Sequence, residues 1–309
     1  MGAAVSLPAI STRAAATAVV LVLVVGRAAV AADEWHPRAT NAKPALSPSE
    51  IMFADALAHY CSALLAEGPD GIPVKSLPHL EDAFRLNPGQ FDITIRLAGG
   101  YQVANRTNDL LHVLQTGCDR YPDNVGLRYY LASVYQTIGQ YDKALAEYGT
   151  LVKRHPRNGA GYFGEAQAYM AAKDESSALA SLEKGIGAVT NAEGLVAMSR
   201  QLGIAGLAGR NWDRAIKCFT IVRAGSPDDA SGILNLLEAY LRKGDKQGIA
   251  ALMRDLPEKY RDNARFSYVV ARHFLGAGNF QEAVEYFEKV EKKQGGPLRG
   301  RDGLRDSVY

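Results

Sequence analysis

Residues Gly159-Ala160-Gly161-Tyr162-Phe163-Gly164 spell G-x-G-x-x-G, the pattern in which the amides of a strand-to-helix turn cradle a pyrophosphate. That chemistry needs a strand ahead of the motif. Here the preceding residues close a helix at Pro156, so the motif is read as helical and no nucleotide is assigned to it. The chain has no G-K-[ST] phosphate loop, no G-x-S-x-G and no H-E-x-x-H. His36, His59, His79, His112, His155 and His273 lack metal-ligand spacing. Cys61, Cys118 and Cys218 form no C-x-x-C pair and are read as free, buried thiols; Cys61 shares a helical stripe with Ala54, Leu57, Ala58 and Leu65. The carboxylates fall on polar faces, and no spacing singles out a catalytic pair. Asn105-Arg106-Thr107 is an N-glycosylation sequon at a turn, read here without a sugar. The expectation is a chain that is not an enzyme and needs neither cofactor nor metal.

Composition narrows the remaining classes. Of 309 residues, 35 are Lys or Arg and 33 Asp or Glu. Two of those bases, Arg13 and Arg27, sit in the first 32 residues beside no acid, so the remainder is charge-balanced. Without a basic block the chain lacks the footprint of a nucleic-acid binder. Hydrophobic content of 47% and charged content of 22% exclude wholesale disorder and a multi-span membrane protein. Residues 1–32 read as a signal peptide: Arg13, the apolar run Ala14–Gly26, then the A-x-A site Ala29-Val30-Ala31. Thirteen apolar residues fall short of the ~20 that span a bilayer, so no span is expected after cleavage. The chain is therefore expected to be exported, to a periplasm or beyond. Residues 33–47 read as a flexible leader. Ser47, Pro48 and Glu50 have the types and spacing of a capping box that opens the first helix.

Repetition organises the rest. From Val125 to Asn158, Leu131-Ala132 and Tyr135 share one helical face. After a turn at Gly139, Ala144, Tyr148 and Leu151 share another, and Pro156 closes a 34-residue unit. The slots recur from Phe91 (Leu97-Ala98, Tyr101, Leu114, Pro122) and from Gly159 (Ala166, Tyr169, Ala178, Leu182). They recur again from Val196 (Leu202-Gly203, Trp212, Ala215, Phe219, Pro227) and from Ala264 (Val270-Ala271, Phe274, Gly278, Phe280, Ala283, Phe287). The unit from Ala230 is the weakest. It keeps Leu236, Tyr240 and Gly244, places Ile249 where a small residue belongs, and carries Pro257 where its second helix should continue. One step measures 37 residues, with the extra three near Asn191-Ala192-Glu193-Gly194. An earlier unit around Leu57, Ala58, Cys61, Leu80, Ala83 and Pro88 fits once Gly68–Pro73 is treated as an inserted loop.

This pattern resembles the tetratricopeptide repeat. The resemblance implies an all-α, right-handed α-solenoid of about seven antiparallel helix hairpins over residues 48–294, followed by a disordered tail at 295–309. It also implies binding of a protein or peptide partner, with the first helix of each hairpin lining the concave groove. Projected onto this chain, the groove candidates are Tyr129, Ser133, Gln136, Phe163, Gln167, Met170, Arg200, Glu238, Tyr268 and Arg272. Family members that clamp a C-terminal carboxylate carry Lys and Asn at these places, which this chain lacks at Tyr129, Ser133, Phe163 and Gln167. Tyr129 and Phe163 are expected to anchor a partner without filling space between helices, whereas Tyr135, Tyr148, Phe219 and Phe287 are expected in the core. The leading expectation is an exported scaffold or adaptor in an envelope or periplasmic complex. The alternative is an enzyme, or an enzyme's accessory subunit, acting on polysaccharide or peptidoglycan. With no capping helix legible after Val284, Phe287 and Val290, the C-terminal hairpin also offers a surface for self-association.

Overall fold

A computed structural model describes residues 46–67, 75–261 and 263–294. The segment expected to be a signal peptide, nearly all of the expected leader, the expected inserted loop and the expected tail lie outside the described residues. Among the described residues there are fifteen α-helices and no strand, so the all-α expectation holds. They fall into two compact units that meet in sequence between Tyr121 and Pro122.

The first unit holds α1 (Pro48–Glu67), α2 (Leu77–Leu86), α3 (Phe91–Val103) and α4 (Thr107–Arg120). The capping box forms at its start: the Glu50 carboxylate accepts from the Ser47 N–H and hydroxyl at 2.8 Å each, and the Glu50 N–H donates to Ser47 Oγ at 3.3 Å. These bonds hold the Glu50 carboxyl below its ordinary pKa. Cys61 is only half-buried, unlike Cys118 and Cys218, and none of the three forms a disulfide. Burial pushes the Cys218 thiol up to about 11, which leaves it inert.

The second unit holds α5 (Val125–Thr137), α6 (Tyr141–Arg154), α7 (Gly159–Ala171), α8 (Glu175–Ala188), α9 (Glu193–Ala208) and α10 (Trp212–Gly225). It continues with α11 (Ala230–Lys243), α12 (Lys246–Arg254), α13 (Glu258–Arg261), α14 (Ala264–Gly276) and α15 (Phe280–Gln294). Each hairpin packs on the next, the repetitive stacking of an α-solenoid. The turn inside each hairpin fixes the register independently of the apolar pattern. Asn105, Gly139, Lys173, Arg210, Gly244 and Gly278, the fifteenth residue of six successive units, all have φ between 56° and 78°. Glycine takes this left-handed conformation freely and asparagine tolerates it, while Lys173 and Arg210 hold it against their Cβ. The first helices are opened by side chains that accept from early helical N–H groups: Asn124, Asn158, Asp229 and Asn263.

Core positions are those the repeat demands. Ala132, Ala144, Tyr148, Ala215 and Phe219 are fully buried, as are Ala166, Ala178, Leu182, Val270 and Ala283. Gly203 lies against the Phe219 ring, where an added Cβ would come within 3.0 Å of it. Phe287 is half-buried rather than core, while Val290 is fully buried. The 37-residue step takes a definite form: α9 has 16 residues against 13 in α5 and α7. The three extra residues are an additional N-terminal turn of helix, not a longer loop.

Candidate functional site

In the second unit the first helices α5, α7, α9, α11 and α14 lie side by side. The ten groove candidates all sit on them, at the fifth, ninth and twelfth places of their units. The structure divides them by what they touch. Tyr129 donates to Gln167 Oε1 at 3.4 Å, spanning α5 and α7. Its ring also lies 5.4 Å from that of Tyr148 on α6, and Phe163 and Met170 pack on the core around Tyr162 and Leu182. Neither aromatic therefore stands clear of the packing, contrary to the sequence expectation; the ring that fills the inter-helix space at Tyr148 is wide enough to meet Tyr129. Gln136 accepts from the Tyr148 hydroxyl at 3.4 Å, and the Ser133 hydroxyl turns back to the Tyr130 carbonyl at 2.8 Å.

Two of the three charged candidates, Arg200 and Glu238, are paired inside the chain. Arg200 Nη2 donates to Asp229 Oδ2 at 2.8 Å, and that carboxylate also caps α11. Glu238 accepts from Arg242 Nε at 2.7 Å and meets His273 Nδ1 on α14 at 2.7 Å. Burial acts to raise the Glu238 carboxyl, but the bonds from His273 and Arg242 outweigh it and hold the pKa below its ordinary value. Arg200 and Glu238 thus link neighbouring first helices. Tyr268 is 41% exposed, with its ring edge-on to Phe287 at 5.8 Å, and Arg272 is exposed.

Tyr129 and Phe163 come together at an open cavity of about 390 Å³ between the N-terminal ends of α5, α7 and α9. Val125, Gly126, Gly159, Ala160, Asn191, Gly194 and Leu195 complete the lining. No ionisable carboxylate, amine, guanidinium or imidazole is among these residues. A second cleft of about 550 Å³ adjoins it through Gly159, Asn191 and Gly194 and is more polar than the first, with Arg157, Asn158, Thr190 and Glu193 on its walls. The wall from α9 is the additional helical turn. Leu195, 2% exposed, pins that turn against Gly185 of α8 and the core around Tyr162.

Sequence reasoning found the two aromatics and missed the glycines beside them. The 37-residue step was the available signal. The G-x-G-x-x-G motif lies entirely within α7, as its context required. Gly161 and Gly164 serve packing, because a Cβ on either would run into Val152 or the Tyr148 ring. Gly159 and Phe163 face the cavity instead. Among the described residues, no group of three or more His, Cys, Asp or Glu side chains is placed to hold a metal, and no helix is long and apolar enough to cross a membrane.

A family model described as the tetratricopeptide repeat matches residues 129–193, 200–257 and 247–297, together more than half of the chain. Similar solved structures include a tetratricopeptide repeat protein from Parabacteroides merdae, 15% identical, covering 82% of this chain and 96% of that one with a TM-score of 0.44. Pseudomonas aeruginosa pilF is 12% identical, covering 72% of this chain and 99% of its own, with a TM-score of 0.41. No curated protein matches.

Proposed function

The chain belongs to the tetratricopeptide repeat family, and from that premise we propose that it is an exported, non-catalytic scaffold that binds a protein segment on the first-helix face of its second unit. The observation that carries this reading is the row of five adjacent first helices, which leaves the cavity at Tyr129 and Phe163 open. Two of the ionisable side chains on that face are engaged within the chain, Arg200 with Asp229 and Glu238 with Arg242 and His273. A face so arranged recognises shape and apolar surface more than it performs proton transfer. Export rests on the sequence of residues 1–32, and an envelope or periplasmic complex is the setting that such export supplies. N-terminal sequencing of the exported form should read from Ala32 or Asp33, and an intact Met1 would refute cleavage.

The face itself is tested with a photo-cross-linking residue placed in the intact chain at Ser133 or Tyr268, on first helices, and at Lys153 or Lys217, on second helices. In the native exported fraction the first pair should form protein adducts and the second pair should not. Adducts of equal yield from Lys153 and Lys217 would move the binding surface to the other side.

A further inference from the structure

We propose that the cavity between α5, α7 and α9 receives one uncharged aromatic side chain from an extended segment of the protein partner. The inference deepens the reading of the first-helix face and rests on it. Its chemistry comes from the lining. Tyr129 and Phe163 supply aromatic walls from adjacent helices, and Val125, Ala160 and Leu195 supply the remaining apolar surface. An aromatic ring gains from offset or edge-on packing against such walls beyond the area it buries. An apolar cavity of roughly 150 Å³ already holds benzene, and this one, at about 390 Å³, admits a ring together with its backbone attachment.

A charged group is disfavoured there. The lining offers no counter-charge, and one amide at each of the three helix starts is already capped: Asn124 accepts from the Leu127 N–H, Asn158 from Ala160 and Asn191 from Glu193, at 2.9–3.0 Å. A polypeptide fits better than a free hydrophobe because the cavity runs on into the polar cleft. There the exposed Asn158 and Asn191 carboxamides can donate to backbone carbonyls beyond the anchor.

The space is built by residues that internal packing does not require. A Cβ added to Gly194 would meet nothing within 4 Å, and one on Gly159 would find its nearest neighbours at 3.7 Å and 4.0 Å. On Gly126 it would lie 3.4 Å from Asn124 Oδ1. Helices disfavour glycine, yet each of these three helices has one within its first two residues, at the cavity wall. The wall on α9 exists only because of the additional turn.

The test uses the intact chain and N-acetyl-phenylalaninamide as probe, with the cyclohexylalanine analogue (same bulk, no π-face) and the glutamate analogue alongside. Titration followed by NMR should give saturable shifts at Tyr129, Phe163 and Leu195. The aromatic probe should bind at least tenfold more tightly than the acidic one and more tightly than the cyclohexyl one. Gly194→Leu fills the cavity from a position with free space and should weaken the aromatic probe at least tenfold without lowering the thermal midpoint. Gly126→Met, from another helix, should do the same and serves if the first variant misfolds. Shifts centred elsewhere, equal binding of the acidic probe, or undiminished binding by both filled variants would overturn the inference. Cross-linking at Ser133 and Tyr268 that survives while the probe ignores the cavity would leave the face reading standing and refute this one alone.

Discussion

The hairpins α5/α6 and α11/α12 occupy the same places in the repeat and solve the same packing problem unequally. Both first helices are deeply set: Leu127, Leu131, Ala132 and Tyr135 are buried in one, Ile233, Leu236, Leu237 and Ala239 in the other. The second helices differ. α6 runs 14 residues and buries Ala144, Tyr148, Leu151 and Val152, whereas α12 runs nine and buries Leu252 alone. Ile249 stands at Ala144's place and Met253 at Tyr148's, both half-buried, and Pro257 follows three residues after α12 ends. The deficit is partly made good outside the repeat pattern. Gly248 lets α12 lie against the Tyr240 ring. Past Pro257, Tyr260 stacks on Phe266 with centroids 4.6 Å apart and donates to the Asp228 carbonyl at 2.7 Å. In the α11/α12 hairpin the first helix stays regular and the irregularity falls on the second.

The largest expected difference is in core truncation. Tyr148→Ala empties a fully buried aromatic site and should destabilise by ~3–5 kcal/mol. Met253→Ala, at the same repeat place, should cost only about 1 kcal/mol, since much of that side chain already meets water. Chemical denaturation of the two variants measures both, and equal losses would erase the distinction between the hairpins. Hydrogen exchange examines it without mutation. Amides of α12 should exchange about tenfold faster than those of α6, because few buried contacts oppose local opening, while α5 and α11 should be protected alike. Rapid exchange in α11 as well would mean that the whole hairpin is weak, not its second helix. A finer probe is Tyr260→Phe, which keeps the stacking and removes the bond to Asp228. It should cost about 1 kcal/mol and speed exchange at residues 258–261 selectively. No change there would show that stacking alone holds the segment after Pro257.

Much of this is legible in the sequence. Periodic apolar residues carry the register from Phe91 to Phe287, and Pro257 with Ile249 marked the weak unit, because both act through local rules of helix propagation and close approach. Other features escaped for physical reasons. Gly126, Gly159 and Gly194 have no side chain to register in an apolar pattern, so a cavity made by their absence is silent in sequence. The link from Glu238 to His273 joins residues 35 apart and depends on the distance between two helices. Gly248 compensates for Ile249 from one residue away, outside the slot where a small residue was sought. Tyr129 was placed on the correct helix, but its contact with Tyr148 follows from ring size at short range.

The smallest predicted effect concerns Glu165, which occupies the place held by Leu131 in α5 and Leu236 in α11. In those helices the position is fully apolar, with Leu131 and Leu236 each 2% exposed. In α7 it is a half-buried carboxyl that accepts from Ser181 Oγ at 3.1 Å. Burial raises its pKa above the ordinary value, against the smaller opposing influences of Ser181 and Lys184. A carboxyl whose folded pKa lies above its unfolded one binds its proton more readily when folded, so stability falls as pH rises through that interval. The penalty is complete above the folded pKa and absent below the unfolded one. Glu165→Gln retains a group that can bond Ser181 and carries no charge, so at neutral pH it should raise stability by about 0.5 kcal/mol, or roughly 1–2 °C in thermal midpoint. Below the unfolded carboxylate pKa, wild type and variant should converge. A variant less stable than wild type at neutral pH, or a gap between them that widens on acidification, would mean that the charge on Glu165 contributes favourably, and that α7 departs from α5 and α11 through a stabilising interaction.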